Sequence, residues 1–246
     1  LYLYHPSSAI IEIEDMPTDY RDIALIKIAE FILLRRLDTE PYNEIKTTLW
    51  QKLTYEDVID VITILERIDQ DSLVFNLIHK ISEGITKYRK KFTRQQCSEI
   101  ARRIEELIPK KFPNPQYIRH EGYILVSQAQ ALRIKSSHLS EWLNLLDRAR
   151  KIENIADRVF ILAHIAESMP SKENKRKEEI LEEAFQQIEL IPNVYDQIGR
   201  CEVLANIAIE FAPQLAKKYI HYGYQIGWTS KEVDTTDQLK ELIDFA

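Results

Sequence analysis

The chain has 246 residues, of which 45% are apolar and 29% charged, and its 33 Lys and Arg against 39 Asp and Glu give a net charge of -6. Those fractions belong to a chain that folds, and the acidic balance argues against a surface that clasps nucleic acid over its whole extent. No apolar run approaches the length needed to cross a bilayer, so no membrane partner is expected.

Only five glycines occur, while Leu, Ile, Glu, Lys and Ala abound. Turns that need a positive φ must therefore be few, and the composition is that of an all-α protein. Cys97 and Cys201 stand inside helical patterns with no Cys or His at metal-ligand spacing. Neither a disulfide framework nor a metal site is expected, and a reducing, cytoplasmic compartment fits. The chain opens on Leu1 without a secretory signal pattern, which suggests a piece of a longer protein, with residues 1–15 as the tail of a preceding domain.

In chain order, residues 9–14 alternate Ile and Glu with period two and read as a short strand or extended leader. From Asp15 the period becomes helical. Ile23, Ile26, Ile28 and Ile32 fall on a broad apolar face, and Asp19 and Asp22 favour the N-terminal end of that helix. Pro41 suits a first-turn position, and Thr54 with Asp57 forms a capping box that opens the next helix. Asp71 or Ser72 is the expected cap of the one after, which Gly84 weakens without ending, and Thr93 with Gln96 forms a second box. Pro109, Pro113 and Pro115 exclude a continuous helix through residues 109–115, which places a boundary between an N-terminal helical sub-array at 16–112 and a C-terminal array at 113–246. A last helix is expected to start near Thr229, with Glu232 at capping-box distance. The total is about a dozen helices.

The C-terminal part repeats itself. "RVFILAHIAES" from Arg158 and "RCEVLANIAIE" from Arg200 share an Arg followed at fixed spacing by Leu-Ala-x-Ile-Ala, 42 residues apart. At 100° per residue, Leu162, Ile165 and Ala166 form one stripe, and Leu204, Ile207 and Ala208 its copy. Ala163, Ala166, Ala205 and Ala208 mark places where a second helix can approach closely. Arg21, Leu25, Ile28 and Ala29 form a weaker third copy. Self-similarity at a helix-pair period is the mark of a solenoid, in which each pair relies on the next to cover its apolar face.

Over residues 116–227 the chain resembles tetratricopeptide (TPR) repeats. In that family the first helix of a pair carries a Leu-small pair and a further packing residue, matched by Leu162-Ala163-Ala166 and Leu204-Ala205-Ala208. The second helix carries a small residue followed at +4 and +7, matched by Ala184-Ile188-Ile191 and Ala216-Ile220-Gly223. Two features depart from the family: Val159 and Cys201 stand where an early aromatic is usual, and the period is longer. The resemblance implies an α-solenoid of antiparallel helix pairs with a curved surface for a protein or peptide, no cofactor and no catalysis. HEAT-like and irregular arrays share these signatures.

Several residues are candidates for that surface. Arg158 and Arg200 lie in a first turn, where a cation opposes the helix dipole. Either they pair with Asp157, Asp196 or a preceding Glu, or they line the groove and hold a carboxylate or phosphate. Tyr219, Tyr222 and Tyr224 either cover the end of the array or make a peptide-binding hot spot. A rival reading from another class uses the basic run Lys87, Arg89, Lys90, Lys91 and Arg94, interleaved with Tyr88 and Phe92 and followed by Arg102, Arg103, Lys110 and Lys111, as a phosphate-binding patch for nucleic acid. Arg133 and His138 have the Arg-x4-His spacing of the ribonuclease motif in HEPN domains, although Ile134 replaces its usual polar residue and Ser136-Ser137 read as a capped turn. The acidic faces at Glu56, Asp57 and Asp60 and at Glu178, Glu179, Glu182 and Glu183 read as solvated helix surface, and His79, His164 and His221 stand singly.

Overall fold

The computed structural model describes residues 13, 16–34, 54–113, 118–135 and 138–229. Among them are ten α-helices, three short 3-10 turns and no strand, so the fold is all-α. Of the leader only Ile13 is described, and it corrects the extended reading at that position. It is helical and 2% exposed, and its carbonyl accepts from the Met16 N–H at 3.0 Å. Pro41, Trp50, the Ser136-Ser137 turn and Glu232 lie outside the described residues.

The chain forms two compact units, Leu1–Pro115 with Gln130–Lys135, and Gln116–Ala129 with Ser136–Ala246. The first unit contains α1 (Thr18–Leu34), α2 (Tyr55–Leu65), α3 (Asp71–Lys87) and α4 (Arg94–Lys111), together with the last turns of α5 (Ile118–Lys135). Within it, α1 packs on α2 and α3, and α4 packs on the same two helices. The buried stripe of α1 is Asp22, Leu25, Ile28, Ala29 and Ile32, while Ile23 is 54% exposed. The apolar face is thus narrower than its isoleucines suggest, because Ile23 points about 200° away from Leu25 around the helix.

Local caps follow the chain. The Asp57 N–H donates to Thr54 Oγ1 at 3.1 Å while the Thr54 N–H donates to Asp57 Oδ2 at 2.8 Å, and Thr93 and Gln96 make the same exchange at 3.1 and 2.9 Å. The start of α3 is different. Its N-cap is Gln70, with no side-chain cap of its own, and the correction to the Asp71 or Ser72 cap comes from another helix. The buried Asp22 carboxylate of α1 accepts from the Asp69 and Gln70 N–H groups, both at 2.8 Å. Arg21, beside it, donates to Asp69, and Lys80 of α3 pairs with Glu30 of α1 at 2.8 Å. Lys111 closes the other end of α2, donating to the Glu66 and Ile68 carbonyls at 2.8 and 2.7 Å.

Gly84 is passed without a break, as expected, and α4 also runs through Pro109 to Lys111. Pro109 removes one donor in the last turn, opposite the carbonyl of Glu105; both residues are exposed, so water can serve that carbonyl.

In the second unit α6 (Leu139–Ala149), α7 (Ile155–Ser168), α8 (Asn174–Phe185), α9 (Val194–Ala208) and α10 (Pro213–Thr229) follow the first part of α5. Side-chain caps open two of them, Asn154 accepting from the Asp157 N–H and Asn193 from the Tyr195 and Asp196 N–H groups. Helix α7 packs on α6, α8 and α9, and α9 packs on α8 and α10. Leu162, Ala163, Ile165 and Ala166 are fully buried, as are Leu204 and Ala208, with Ala205 at 1% and Ile207 at 7%. Small residues sit where helices come close: a Cβ on Gly122 would lie 3.2 Å from Ile161 Cδ1, and one on Gly223 would lie 3.1 Å from Cys201 Cβ. Trp142 is a core residue, and α10 is still helical at Thr229, where the sequence suggested a new start.

Candidate functional site

The two repeat arginines are built into the second unit. Arg158 donates from Nε to Gln187 Oε1 at 2.6 Å and from Nη1 to the Ile152 carbonyl at 2.8 Å. Arg200 donates from Nε to the Ala156 carbonyl at 2.8 Å, and its guanidinium lies 5.1 Å from the centroid of the Phe160 ring. Among the described residues neither forms an ion pair, so the expected carboxylate partners Asp157 and Asp196 are replaced by neutral ones. A guanidinium suits this task because its fork can reach a carbonyl and a side-chain oxygen together. Next to Arg200, Phe160 meets the His164 ring edge-on at 4.3 Å, and His164 Nδ1 contacts Glu167 Oε2 at 2.8 Å.

The tyrosines divide by depth. Tyr219 is fully buried with its ring 4.7 Å from that of Phe185, so it belongs to the core and does not present itself to a partner. Tyr222 is half-buried, packs edge-on to Phe185 at 5.1 Å and donates its hydroxyl to Glu189 Oε1 at 2.9 Å. Burial and then that carboxylate push its phenol up to about 12. Tyr224 is 36% exposed.

Among the described residues the Tyr219 hydroxyl meets no hydrogen-bond partner, and burial, with Glu182 and Glu178 adding to it, pushes the phenol up from its ordinary value. Tyr219→Phe is therefore expected to leave the stability of the second unit unchanged or to raise it by about 1 kcal/mol in urea unfolding. A clear loss would show the hydroxyl to be bonded.

Along α8 and the start of α10 an open groove of about 440 Å³ is lined by Lys175, Glu178, Glu179, Glu182, Glu183, Gln186 and Leu215. Two of its carboxylates are ion-paired, Glu182 with Lys218 and Glu183 with Arg150, both at 2.7 Å. The sequence shows these glutamates as a solvated face; the concavity arises only from the packing around α8.

In the first unit the basic run is reduced by its own architecture. Arg89 donates to the Ile134 carbonyl, Arg102 and Arg103 pair with Glu99, Arg102 also with Glu106, and Lys111 caps α2. Phe92 is buried at 8% exposure and Tyr88 is half-buried, so the interleaved rings are not both offered to bases. Lys87, Lys90, Lys91 and Arg94 remain on the surface. Arg133 lies in the last turn of α5 in the first unit, and His138 is the N-cap of α6 in the second, making no side-chain cap hydrogen bond.

Among the described residues no group of His, Cys, Asp and Glu could hold a metal ion, and no helix is long and apolar enough to cross a membrane. Burial raises the Cys201 thiol to about 12, which removes it as a nucleophile at neutral pH.

One surface went unnoticed in the sequence. The outer side of α9 exposes Tyr195 at 57% and Ile209 at 40%, together with Asp196, Glu202 and Asn206, around Gly199. The 195, 202, 209 spacing is the signal that could have found it. No protein family, no curated protein and no solved structure matches the chain.

Proposed function

We propose that the chain is a non-catalytic helical-repeat module, tetratricopeptide-like in its second unit, that binds a protein or peptide partner as the scaffold or sensor arm of a larger cytoplasmic protein. The observation that carries this reading is the packing order: α7 touches both α8 and α9, and α9 touches both α8 and α10. A stack of helix pairs has that pattern, each first helix meeting its own mate and the first helix of the next pair. The repeated Leu-Ala-x-Ile-Ala stripes are buried in α7 and α9, and the opposite side of α9 is exposed at Tyr195, Asp196, Glu202 and Asn206.

The test is a selection of displayed random peptides on the whole chain, with binding of the enriched peptides then measured in solution. Saturable binding is expected, and it should survive Lys90→Glu with Lys91→Glu. If no peptide is enriched, and a single-stranded oligonucleotide instead binds with a steep salt dependence that this double substitution abolishes, the exposed Lys87, Lys90, Lys91 and Arg94 define a nucleic-acid surface and the proposal fails.

A further inference from the structure

We infer that the outer face of α9, centred on Gly199, is a docking notch for a cationic amphipathic helix of a protein partner; this rests on the partner-binding reading above. At 100° per residue Tyr195, Ile198, Gly199, Glu202, Asn206 and Ile209 fall within about 100° of one another and run the length of the helix. The face carries three apolar residues, Tyr195, Ile198 and Ile209, with Glu202 and Asn206 among them, and Asp196 stands at its edge.

Glycine is a poor residue for a helix interior, and a helix keeps one where a neighbour comes too close for a Cβ. Gly122 and Gly223 fit that account, with Ile161 and Cys201 at 3.2 and 3.1 Å from the Cβ that each lacks. Gly199 does not, since a Cβ there would meet nothing within 4 Å. Among the described residues nothing lies within 4 Å of the space that Gly199 leaves. A backbone arriving from outside would use it, because a glycine on a helix surface lets a second helix approach more closely than any side chain permits.

Charge selects the visitor. Asp196 and Glu202 flank Gly199 by three residues on either side, are exposed and form no ion pair among the described residues. The nearest cation on the helix, Arg200, is turned to the Ala156 carbonyl and the Phe160 ring. A second copy of this chain, meeting face to face through a two-fold axis, would set these carboxylates against each other. A helix carrying Lys or Arg beside an apolar stripe would pair with them while its apolar residues covered Ile198 and Ile209.

The probe is a synthetic helical Leu/Lys peptide, compared with its Leu/Glu counterpart, titrated by fluorescence anisotropy against the chain, Gly199→Leu, and Asp196→Lys with Glu202→Lys. The Leu/Lys peptide should bind and the Leu/Glu peptide should not, and either variant should weaken binding about tenfold or more. The melting temperature of Gly199→Leu should stay or rise, since the new side chain enters open space. The notch is refuted if the Leu/Lys peptide does not bind, if neither variant weakens it, or if sedimentation shows a dimer that Gly199→Leu dissolves. If the peptides selected by display bind and ignore both variants, the partner-binding reading stands and only this surface is wrong.

Discussion

Leu204→Ala is expected to destabilise the second unit by about 2–5 kcal/mol, the range for a leucine truncated in a packed core. Leu204 is fully buried, its neighbour Ala205 is 1% exposed, and α9 packs on α7, α8 and α10. The cost has two parts: the lost transfer of the removed carbons from water, and the cavity left because surrounding helices close on it only partly. Small residues make closure harder still, since Ala205 and Ala208 have no rotamers with which to refill the gap. Urea unfolding should show a lower midpoint with an unchanged slope, while Asn206→Ala, on the exposed side of the same helix, should leave the midpoint almost where it is. If both variants melt like the parent chain, the repeated stripe does not face the core.

The second large effect falls in the first unit. Asp22→Ala should cost about 2–4 kcal/mol, because two charge-assisted hydrogen bonds to the start of α3 are lost at once and the Asp69 and Gln70 N–H groups lose their acceptor. The same carboxylate balances Arg21, whose Nε lies 3.7 Å from Asp22 Oδ1. Asp22→Asn offers a finer comparison. Both N–H groups donate to the single oxygen Oδ2, so an amide oxygen placed there keeps both contacts without the charge, and the loss should be less than half that of the alanine. Part of that loss would come from the amide NH₂ facing the Arg21 guanidinium. Equal losses for the two variants would mean that Asp22 acts by charge and not as a cap.

The features legible in the sequence are the ones closed within a few residues. The Thr54-Asp57 and Thr93-Gln96 boxes appear as written because both partners of each hydrogen bond lie three residues apart, and the chain brings them together as soon as a turn forms. The buried stripes of α7 and α9 were legible for a related reason, since a 3.6-residue period sets which side chains share a face before any partner is known. The few glycines and the helix-forming composition made the all-α fold plain.

The misreadings concern distance along the chain. Asp22 looked like a charge favouring its own helix, yet it accepts from the N–H groups of Asp69 and Gln70, which lead into α3 and lie 47 and 48 positions away. Arg200 looked like half of a local ion pair and reaches a carbonyl 44 residues earlier. Tyr219, Tyr222 and Tyr224 were alike either a cover for the end of the array or a binding hot spot, and only the place of Tyr219 beside Phe185 puts it in the core. Gly199 drew no notice because a glycine's meaning depends on what stands opposite it.

The amino-acid order alone determined helix content, the capped starts and the apolar stripes, because these follow from bonds and periods internal to one helix. Only the tertiary structure decided which polar group serves which helix end, which tyrosine is covered and which glycine faces open space, because those outcomes depend on where a second helix lies.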